Sequence, residues 1–249
     1  MNIAVCVKQT PDTTARIKIA DDGKSVVRDN MQWIINPYDE FAIEEALKLV
    51  EKHGGEVTII SLGAATAEKT IREALAMGAH AAIRINAEQA PDDPQVTAKA
   101  LADVLKDGGY DLILLGRRAI DDDQAQIPQL IATVLNLPCV TVVDRLEIDG
   151  ENGVATREVE GGSQKVAFRL PAVIGANSKL NQPRYRSLKG IMQAKKKKID
   201  VREASLAEAK LVIEKLTYPP AKAAGKIFDN GVDAVPEVVR LLREEAKVI

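Results

Sequence analysis

Residues 110–126 read YDLILLGRRAIDDDQAQ, and they decide how the rest of the chain is interpreted. The part from Leu112 to Leu115 is an apolar run of strand length, and residues 127–135 after the stretch are typical of a helix. In an open α/β sheet, ligands bind at polar loops outside the carboxyl ends of the strands. The amides and the dipole at a helix start favour a phosphate group, whereas the aspartates at 121–123 repel one. The alternative is a solvated acidic loop in which Asp123 only caps the helix.

The sequence before this stretch alternates between strand and helix patterns, which predicts an α/β fold with a parallel sheet covered on both faces. The predicted buried strands end at Val7, Leu62, Ile85 and Leu115. Asn36 and Pro37 begin the first strong helix as its N-cap and first helical residue. A hairpin is predicted at 15–27. The glycine patterns of dinucleotide sites and P-loops do not occur in the sequence, which disfavours both.

The second half of the chain changes character twice. Residues 140–175 alternate around glycine turns, which predicts an antiparallel ribbon whose last strand rejoins the main sheet. Residues 201–249 are interpreted as an arm that wraps a partner subunit. Its predicted parts are a short helix at 206–209, a strand at 210–216, an extended segment at 218–222 and an amphipathic helix at 232–246.

A basic segment at 181–199 carries apolar residues whose role the sequence leaves open. Ser187 is a good N-cap for a short helix with Leu188, Ile191 and Met192 at helical spacing. These three residues belong either to the core or to a protruding anchor for a partner. The lysines at 195–198 indicate a solvated face or a nucleic-acid patch, and the lack of interleaved aromatic residues weakens the second interpretation.

The composition narrows the class of protein. The 249 residues are 46% hydrophobic and 28% charged with a net charge of −2, so a substantial core is possible and no basic field favours nucleic acid. Cys6 and Cys139 lack partners at metal-ligand spacing, and two histidines are too few for a His-based metal site. We expect no metal, no membrane insertion and, because the N terminus begins as a strand rather than a signal peptide, a cytoplasmic protein.

Four motifs resemble the electron-transfer flavoprotein β subunit, in order along nearly the whole chain. They are NPYDEFAIEEA at 36–46, ALAMGA at 74–79, LGRRAIDDD at 115–123 and NQPRYRSLKGIMQAKKKK at 181–198. The resemblance implies a Rossmann-like (adenine nucleotide α-hydrolase-like) three-layer α/β domain at 1–200, with an antiparallel ribbon and a recognition loop at 181–199. It also implies that the extended C-terminal arm at 201–249 wraps the partner subunit.

The function implied by the resemblance is electron transport without independent catalytic activity. Such a chain forms a heterodimer with an α subunit that holds most of an FAD, and it binds AMP itself. The dimer accepts electrons from acyl-CoA and related dehydrogenases of fatty-acid β-oxidation and passes them to a membrane quinone reductase or another acceptor.

The resemblance also assigns site residues. The cofactor-binding residues are Cys6, Asn36, Pro37, Tyr38, Asp39, Leu62, Asp121, Asp122, Asp123, Gln124, Ala125, Gln126, Ile127, Pro128, Gln129, Leu130, Ile131 and Ala132. The partner-binding residues are Tyr185, Leu188, Ile191 and Met192, with Leu188 as the anchor. Tyr38 stands where the family often has an aromatic residue near the flavin.

Three alternatives remain. Electron-bifurcating members hold a second FAD in place of AMP, and their loop tends to contain a glycine where this chain has Asp122, so we favour AMP. A stand-alone adenine-nucleotide-binding module of the stress-protein kind shares the sheet, but it usually has a glycine-rich phosphate loop. RNA binding through the lysines at 195–198 would be strongly salt-dependent.

Overall fold

The computed structural model describes residues 1–88, 91–221 and 224–249. Contacts within the chain divide it into a large unit, Met1–Lys215, and a small unit, Leu216–Ile249. The division at residue 200 remains a prediction from the sequence. Lys222, the last residue of the predicted extended segment, lies outside the described residues.

The large unit is built on a nine-stranded sheet with the strand order β11-β5-β4-β1-β6-β10-β7-β8-β9. These strands are β1 (Asn2–Cys6), β4 (Glu56–Gly63), β5 (Ala81–Asn86), β6 (Leu112–Gly116), β7 (Cys139–Asp149), β8 (Asn152–Val159), β9 (Gly162–Arg169), β10 (Ala172–Ala176) and β11 (Asp200–Glu203). A separate antiparallel pair joins β2 (Gln9–Pro11) to β3 (Trp33–Ile35). The parallel pairing of β11, β5, β4, β1, β6, β10 and β7 confirms the predicted α/β class.

Helices cover both faces of the sheet and make three layers. They are α1 (Pro37–His53), α2 (Glu68–Met77), α3 (Pro94–Leu105), α4 (Ile127–Leu135) and α5 (Leu188–Lys196). Ile3 and Val5 pack in one apolar cluster with α1 and α2, whereas Ala4 and Cys6 pack in another with α3 and α4. Successive residues of a strand point to opposite faces, so each short apolar strand serves both clusters.

The strand order creates a switch point beside β1. The chain moves from β1 to β4 and β5 on one side, and then returns to β6 and β10 on the other. Both neighbours are parallel to β1, with Val5 opposite Ile59 of β4 and Leu114 of β6. The carboxyl ends of these three strands therefore meet at one edge, where open α/β sheets hold their ligands.

The antiparallel ribbon is confirmed. Strand β7 pairs with β10 and then with β8, β8 pairs with β9, and the chain returns through β10 into the main sheet beside β6.

The chain turns back on itself within 15–27 as predicted, with an antiparallel bridge between Ile19 and Val26, although the pairing is too short to form named strands. Two predictions for the region after residue 200 were wrong. Residues 206–209 are not helical and residues 210–216 do not form a strand. The carboxylate of Asp93 accepts the amides of Lys210 and Leu211 at 2.8 and 3.2 Å, so side-chain contacts replace a strand ladder there.

The small unit contains a 3₁₀ turn, Gly231–Ala234, that leads into α6 (Val235–Glu244). The amphipathic C-terminal helix predicted at 232–246 is thereby confirmed, although it is shorter at both ends. Across the described ranges, no helix is both long and apolar enough to cross a membrane.

Candidate functional site

A cleft of about 750 Å³, including space open to solvent, lies at the carboxyl ends of β4, β1 and β6. One wall is the turn at 91–94, and the opposite wall is the loop that follows β6. The cleft is lined by ten of the predicted cofactor-binding residues: Cys6, Asn36, Asp39, Leu62, Asp122, Gln124, Ala125, Gln126, Ile127 and Pro128.

The other predicted cofactor-binding residues lie beside or behind this lining. In the described part of the chain, the lining leaves out Pro37, Tyr38, Asp121, Asp123, Gln129, Leu130, Ile131 and Ala132. Ile131 and Ala132 lie on the buried face of α4 and belong to the apolar core. A contact between these two side chains and a nucleotide is therefore not supported by the geometry, because they face the sheet.

Asp39 fixes the edge of the sheet at which the cleft opens. Its carboxylate accepts the amide of Lys8 after β1 at 2.7 Å and the amide of Gly116 at the end of β6 at 2.9 Å. It also accepts Nδ2 of Asn36 at 2.9 Å. A Cβ at position 116 would lie 2.5 Å from Oδ1 of Asp39, so glycine is required for this close approach.

Asn36 does more than begin α1. Its Nδ2 donates to the carbonyl of Arg118 at 2.9 Å, and its Oδ1 accepts the amide of Ile120 at 3.2 Å. Its side chain makes no capping hydrogen bond to the described helix. Asn36 precedes Pro37 as predicted, but its side chain positions the loop after β6 instead of capping the helix.

Burial favours the neutral forms of the two buried acidic groups of the cleft, the Asp39 carboxyl and the Cys6 thiol. Burial raises the pKa of Asp39 to about 7, although hydrogen bonds from Lys8, Asn36 and Gly116 oppose the shift. Burial, helped by the charge of Asp39, raises the pKa of the Cys6 thiol to about 12. Cys6 therefore stays a protonated thiol at neutral pH and is a poor nucleophile.

Lys8 neutralises part of the acidic loop that lies beside the predicted phosphate site. Its Nζ donates to Asp121 and to Asp122, each at 2.8 Å. Burial lowers the pKa of Lys8, but the charges and hydrogen bonds of the two aspartates outweigh it and raise the pKa. The ammonium group remains charged and offsets much of the negative charge that would repel a phosphate.

The simple capping role considered for Asp123 is wrong. Its carboxylate pairs with Arg118 at 2.6 Å, and its backbone has a φ of 53°. Helix α4 begins instead after Gln126, and within the described ranges no side chain caps its first turn. The amides at this helix start are available to an anion, except at Pro128, which has no N–H.

Tyr38 lies next to the cleft and contacts two arginines. The guanidinium carbons of Arg117 and Arg118 lie 5.0 and 5.3 Å from the centre of its ring. Hydrogen bonds from Arg117 and then Arg118 lower the pKa of the phenol. Tyr38 is therefore part of a cationic surface rather than of the cleft lining.

Eleven lining residues are not among the assigned cofactor-binding residues, although Gly116, Arg118 and Ala119 lie in the loop predicted to hold a ligand: Val7, Lys8, Pro91, Asp92, Pro94, Thr97, Leu101, Leu115, Gly116, Arg118 and Ala119. Lys8 and Gly116 follow or end predicted strands, so the strand-end rule could have identified them. Thr97 and Leu101 lie inside α3, and nothing in their local sequence indicates which helix face meets a cleft.

The recognition segment (residues 181–199) presents its apolar residues to solvent. Tyr185, Leu188 and Met192 are 96, 82 and 65% exposed, and Ile191 is 38% exposed. Ser187 caps α5 as predicted, because its Oγ accepts the amide of Gly190 at 3.0 Å. The alternative that places Leu188 and Met192 in the core is wrong, since α5 contributes only Ala194 to it.

The run of lysines at 195–198 is only partly a solvated face. Burial lowers the pKa of Lys197, and its Nζ donates to the carbonyl of Ala79. Among the described residues, no three His, Cys, Asp or Glu side chains are grouped so that they could hold a metal ion.

Residues 24–207 match the family described as "Electron transfer flavoprotein domain". The chain is 44% identical over its full length to the full-length "Electron transfer flavoprotein subunit beta" of Bacillus subtilis. It is 41% identical to the protein of that name from Syntrophomonas wolfei, over 100% of this chain and 98% of the relative. It is 36% identical to the Homo sapiens protein of that name, over 98% of both chains. By this match and these full-length relatives, the chain belongs to the electron transfer flavoprotein family, among its β subunits.

Proposed function

We propose that this chain is the β subunit of a heterodimeric electron carrier, with FAD held mainly by an α subunit and AMP bound in the cleft. The dimer accepts electrons from acyl-CoA and related dehydrogenases and passes them to a quinone reductase or another acceptor. The observation that carries the proposal is a cleft at the switch point whose thiol stays protonated. Such a site is suited to holding a nucleotide rather than to reacting with it.

The lining fits the chemistry of AMP. The start of α4 offers amides and the positive end of a helix dipole to the phosphate, with Lys8 and Arg118 on the same lining. Leu62, Leu101 and Leu115 offer apolar surface to the adenine. When bound, AMP supplies no chemistry of its own, and its role is to complete the packing between the two walls.

The geometry favours AMP over a second FAD. Nε2 of Gln124 donates to the carbonyl of Asp92 at 3.3 Å, so the loop after β6 contacts the turn at 91–94 across the cleft. Lys8 holds Asp122 on the lining through a direct ion pair. A dinucleotide of the electron-bifurcating kind needs more length, and we expect it to require both contacts to open.

Co-expression with the α subunit tests this proposal. The purified complex is analysed by absorption spectroscopy, and its nucleotides are extracted and quantified by chromatography. We expect one FAD and one AMP for each dimer. Two FAD would contradict the choice of AMP, and a colourless monomer that does not pair with the α chain would support the stand-alone module instead.

We further propose that the exposed apolar residues of the recognition segment dock on the dehydrogenase. A central apolar side chain surrounded by charges suits a transient complex, in which the apolar group contributes affinity and the charges steer association. Leu188→Ala should slow electron transfer from an acyl-CoA dehydrogenase and leave the flavin content unchanged. Transfer kinetics equal to those of the wild type would contradict the docking role.

The proposal also includes a residue that faces FAD and the cellular location of the protein. Tyr38 is half-buried beside Arg117 and Arg118, outside the cleft lining, and is the residue we propose to face the flavin. We also propose a cytoplasmic location, which agrees with the free thiols of Cys6 and Cys139 because disulfides are rare in reducing compartments.

A further inference from the structure

Arg184 joins the recognition segment to α1 through two carboxylates. Its Nε and Nη2 donate to the two oxygens of Glu44 at 2.8 and 3.1 Å. Its Nη1 and Nη2 donate to the two oxygens of Glu51 at 2.6 and 3.2 Å. The backbone amide of Arg184 also donates to Glu44 at 3.1 Å. The planar guanidinium is therefore held at a defined angle as well as a defined distance.

These contacts differ from an ordinary surface ion pair. The side chain of Glu44 is only 8% exposed, so its charge depends on Arg184 for compensation. A pair with one buried partner contributes little net stability relative to apolar residues, but loss of Arg184 leaves the buried charge of Glu44 uncompensated. The pair is better explained by a positional role than by its contribution to the stability of α1.

The contacts continue on both sides of Arg184. Asn181 donates to the carbonyl of Phe41 on α1 at 3.0 Å, and Arg186 pairs with Glu73 on α2 at 2.7 Å. At the far end, Nη1 of Arg72 on α2 donates to the carbonyls of Ala194 and Lys197 at 2.9 and 3.2 Å. The backbone of the segment is thus fixed to two helices along its length.

Four large apolar side chains of the segment are exposed to solvent: Tyr185, Leu188, Ile191 and Met192. We propose that Arg184 is a positioning residue that holds these side chains in the orientation needed for docking. The segment then needs little further ordering when the dehydrogenase binds. This inference rests on the proposed docking of Leu188. A segment that is ordered before binding loses less conformational entropy in the complex, which increases its affinity for the partner.

The test varies the concentration of the α–β dimer as electron acceptor of a purified acyl-CoA dehydrogenase that is supplied with its acyl-CoA substrate. For Arg184→Gln we expect an increase in KM for the dimer with kcat and flavin content unchanged. If only about a tenth of the molecules keep the docking conformation, KM rises roughly ten-fold. Arg145→Gln is the matched control, because Arg145 forms an exposed pair with Glu147 on β7. Its KM should equal that of the wild type.

Two further variants protect the test from a folding failure. The double variant Glu44→Gln, Arg184→Gln removes both charges, so no buried carboxylate is left unpaired, and it should raise KM as the single variant does. Arg184→Lys keeps the charge but loses the paired geometry, so its KM should be intermediate. Under conditions in which all proteins are folded, trypsin should cut the Arg184 variants faster than the wild type. The cleaved peptide bonds should be those after Arg186 and Lys189, because they become accessible when the segment detaches from α1.

The outcomes separate the inference from the docking function on which it rests. If Leu188→Ala raises KM but Arg184→Gln and the double variant Glu44→Gln, Arg184→Gln keep the KM of the wild type, the positioning role is wrong and docking stands. A lower melting temperature with unchanged KM has the same meaning, because it reveals a purely structural contact. If Leu188→Ala itself leaves the kinetics unchanged, the docking function fails first.

Discussion

At the scale of single residues, Asp39 determines the geometry of the cleft. It connects the ends of β1 and β6 to the first turn of α1 through the amides of Lys8 and Gly116. The carboxylate thereby accepts one amide just after β1 and one at the last residue of β6. Loss of the acceptor would leave buried N–H groups unpaired, which is costly.

Asp39→Ala should therefore destabilise the protein by about 2 kcal/mol and reduce the AMP that remains bound on purification. The loss should also depend on pH. The pKa of Asp39 is about 7 in the folded state, above the ordinary 3.8, so the folded state binds this proton more tightly. The stability that this protonation contributes is therefore present in full below pH 3.8, and it is lost as the pH rises from there through about 7.

Urea unfolding at pH 5 and pH 8 measures this effect. The difference in stability between the wild type and Asp39→Ala should be larger at pH 5. Asp103→Ala is the control, because Asp103 forms an exposed pair with Lys106 that contributes little. A difference that is the same at both pH values would show that the proton on Asp39 is not linked to folding.

At this scale the positions of residues could be predicted from the sequence better than their roles. Asn36 precedes the predicted helix, yet its side chain binds a loop more than 80 positions away along the chain. Asp123 pairs with Arg118 and does not cap a helix. Local propensity cannot distinguish such uses, because the competing partners come together only in the folded state.

At the scale of secondary-structure elements, the approach of α5 to α2 depends on Gly190. A Cβ at this position would lie 2.4 Å from the carbonyl oxygen of Ala76, which is too close for any packing. Gly190→Ala should move α5 away from α2. Overpacking costs about 1–3 kcal/mol. The better helix propensity of alanine offsets about 1 kcal/mol, so we expect a net loss of about 1 kcal/mol.

Thermal unfolding and digestion by trypsin measure this change. We expect a lower melting temperature and faster cleavage within α5. Gly162→Ala on β9 is the matched control, since the added methyl would meet no described atom within 4 Å. If both variants melt alike and α5 stays resistant to trypsin, the close packing of the two helices is not what holds α5.

Elements with strong boundary signals could be predicted from the sequence. Helices α1 and α3 begin at Pro37 and Pro94, where proline suits the first helical position, and α3 is capped by Asp93 as well. Strand β11 has no such signal, because all four of its residues are exposed and its sequence shows no alternation of apolar and polar residues. Its place beside β5 is decided by backbone pairing, which side-chain patterns do not report.

At the scale of the whole molecule, the residues of the cleft and all nine strands of the main sheet belong to Met1–Lys215. The unit Leu216–Ile249 exposes apolar side chains, among them Ile227 and, on α6, Val235 and Leu242. Exposed apolar side chains on an amphipathic helix favour burial against another chain. We therefore expect residues 1–215 to fold and keep AMP, and residues 216–249 to be needed for binding the α subunit.

Two truncations decide where the domain ends. A chain of residues 1–215 should show the circular dichroism of the full chain but should not co-purify with the α subunit. A chain of residues 1–200 loses most of β11 and the contacts of Asp93 with Lys210 and Leu211. It also exposes β5 as an edge strand, so it should unfold at a lower temperature and aggregate. Equal stability of the two would place the boundary at 200, and retained pairing of 1–215 with the α subunit would contradict the arm's role.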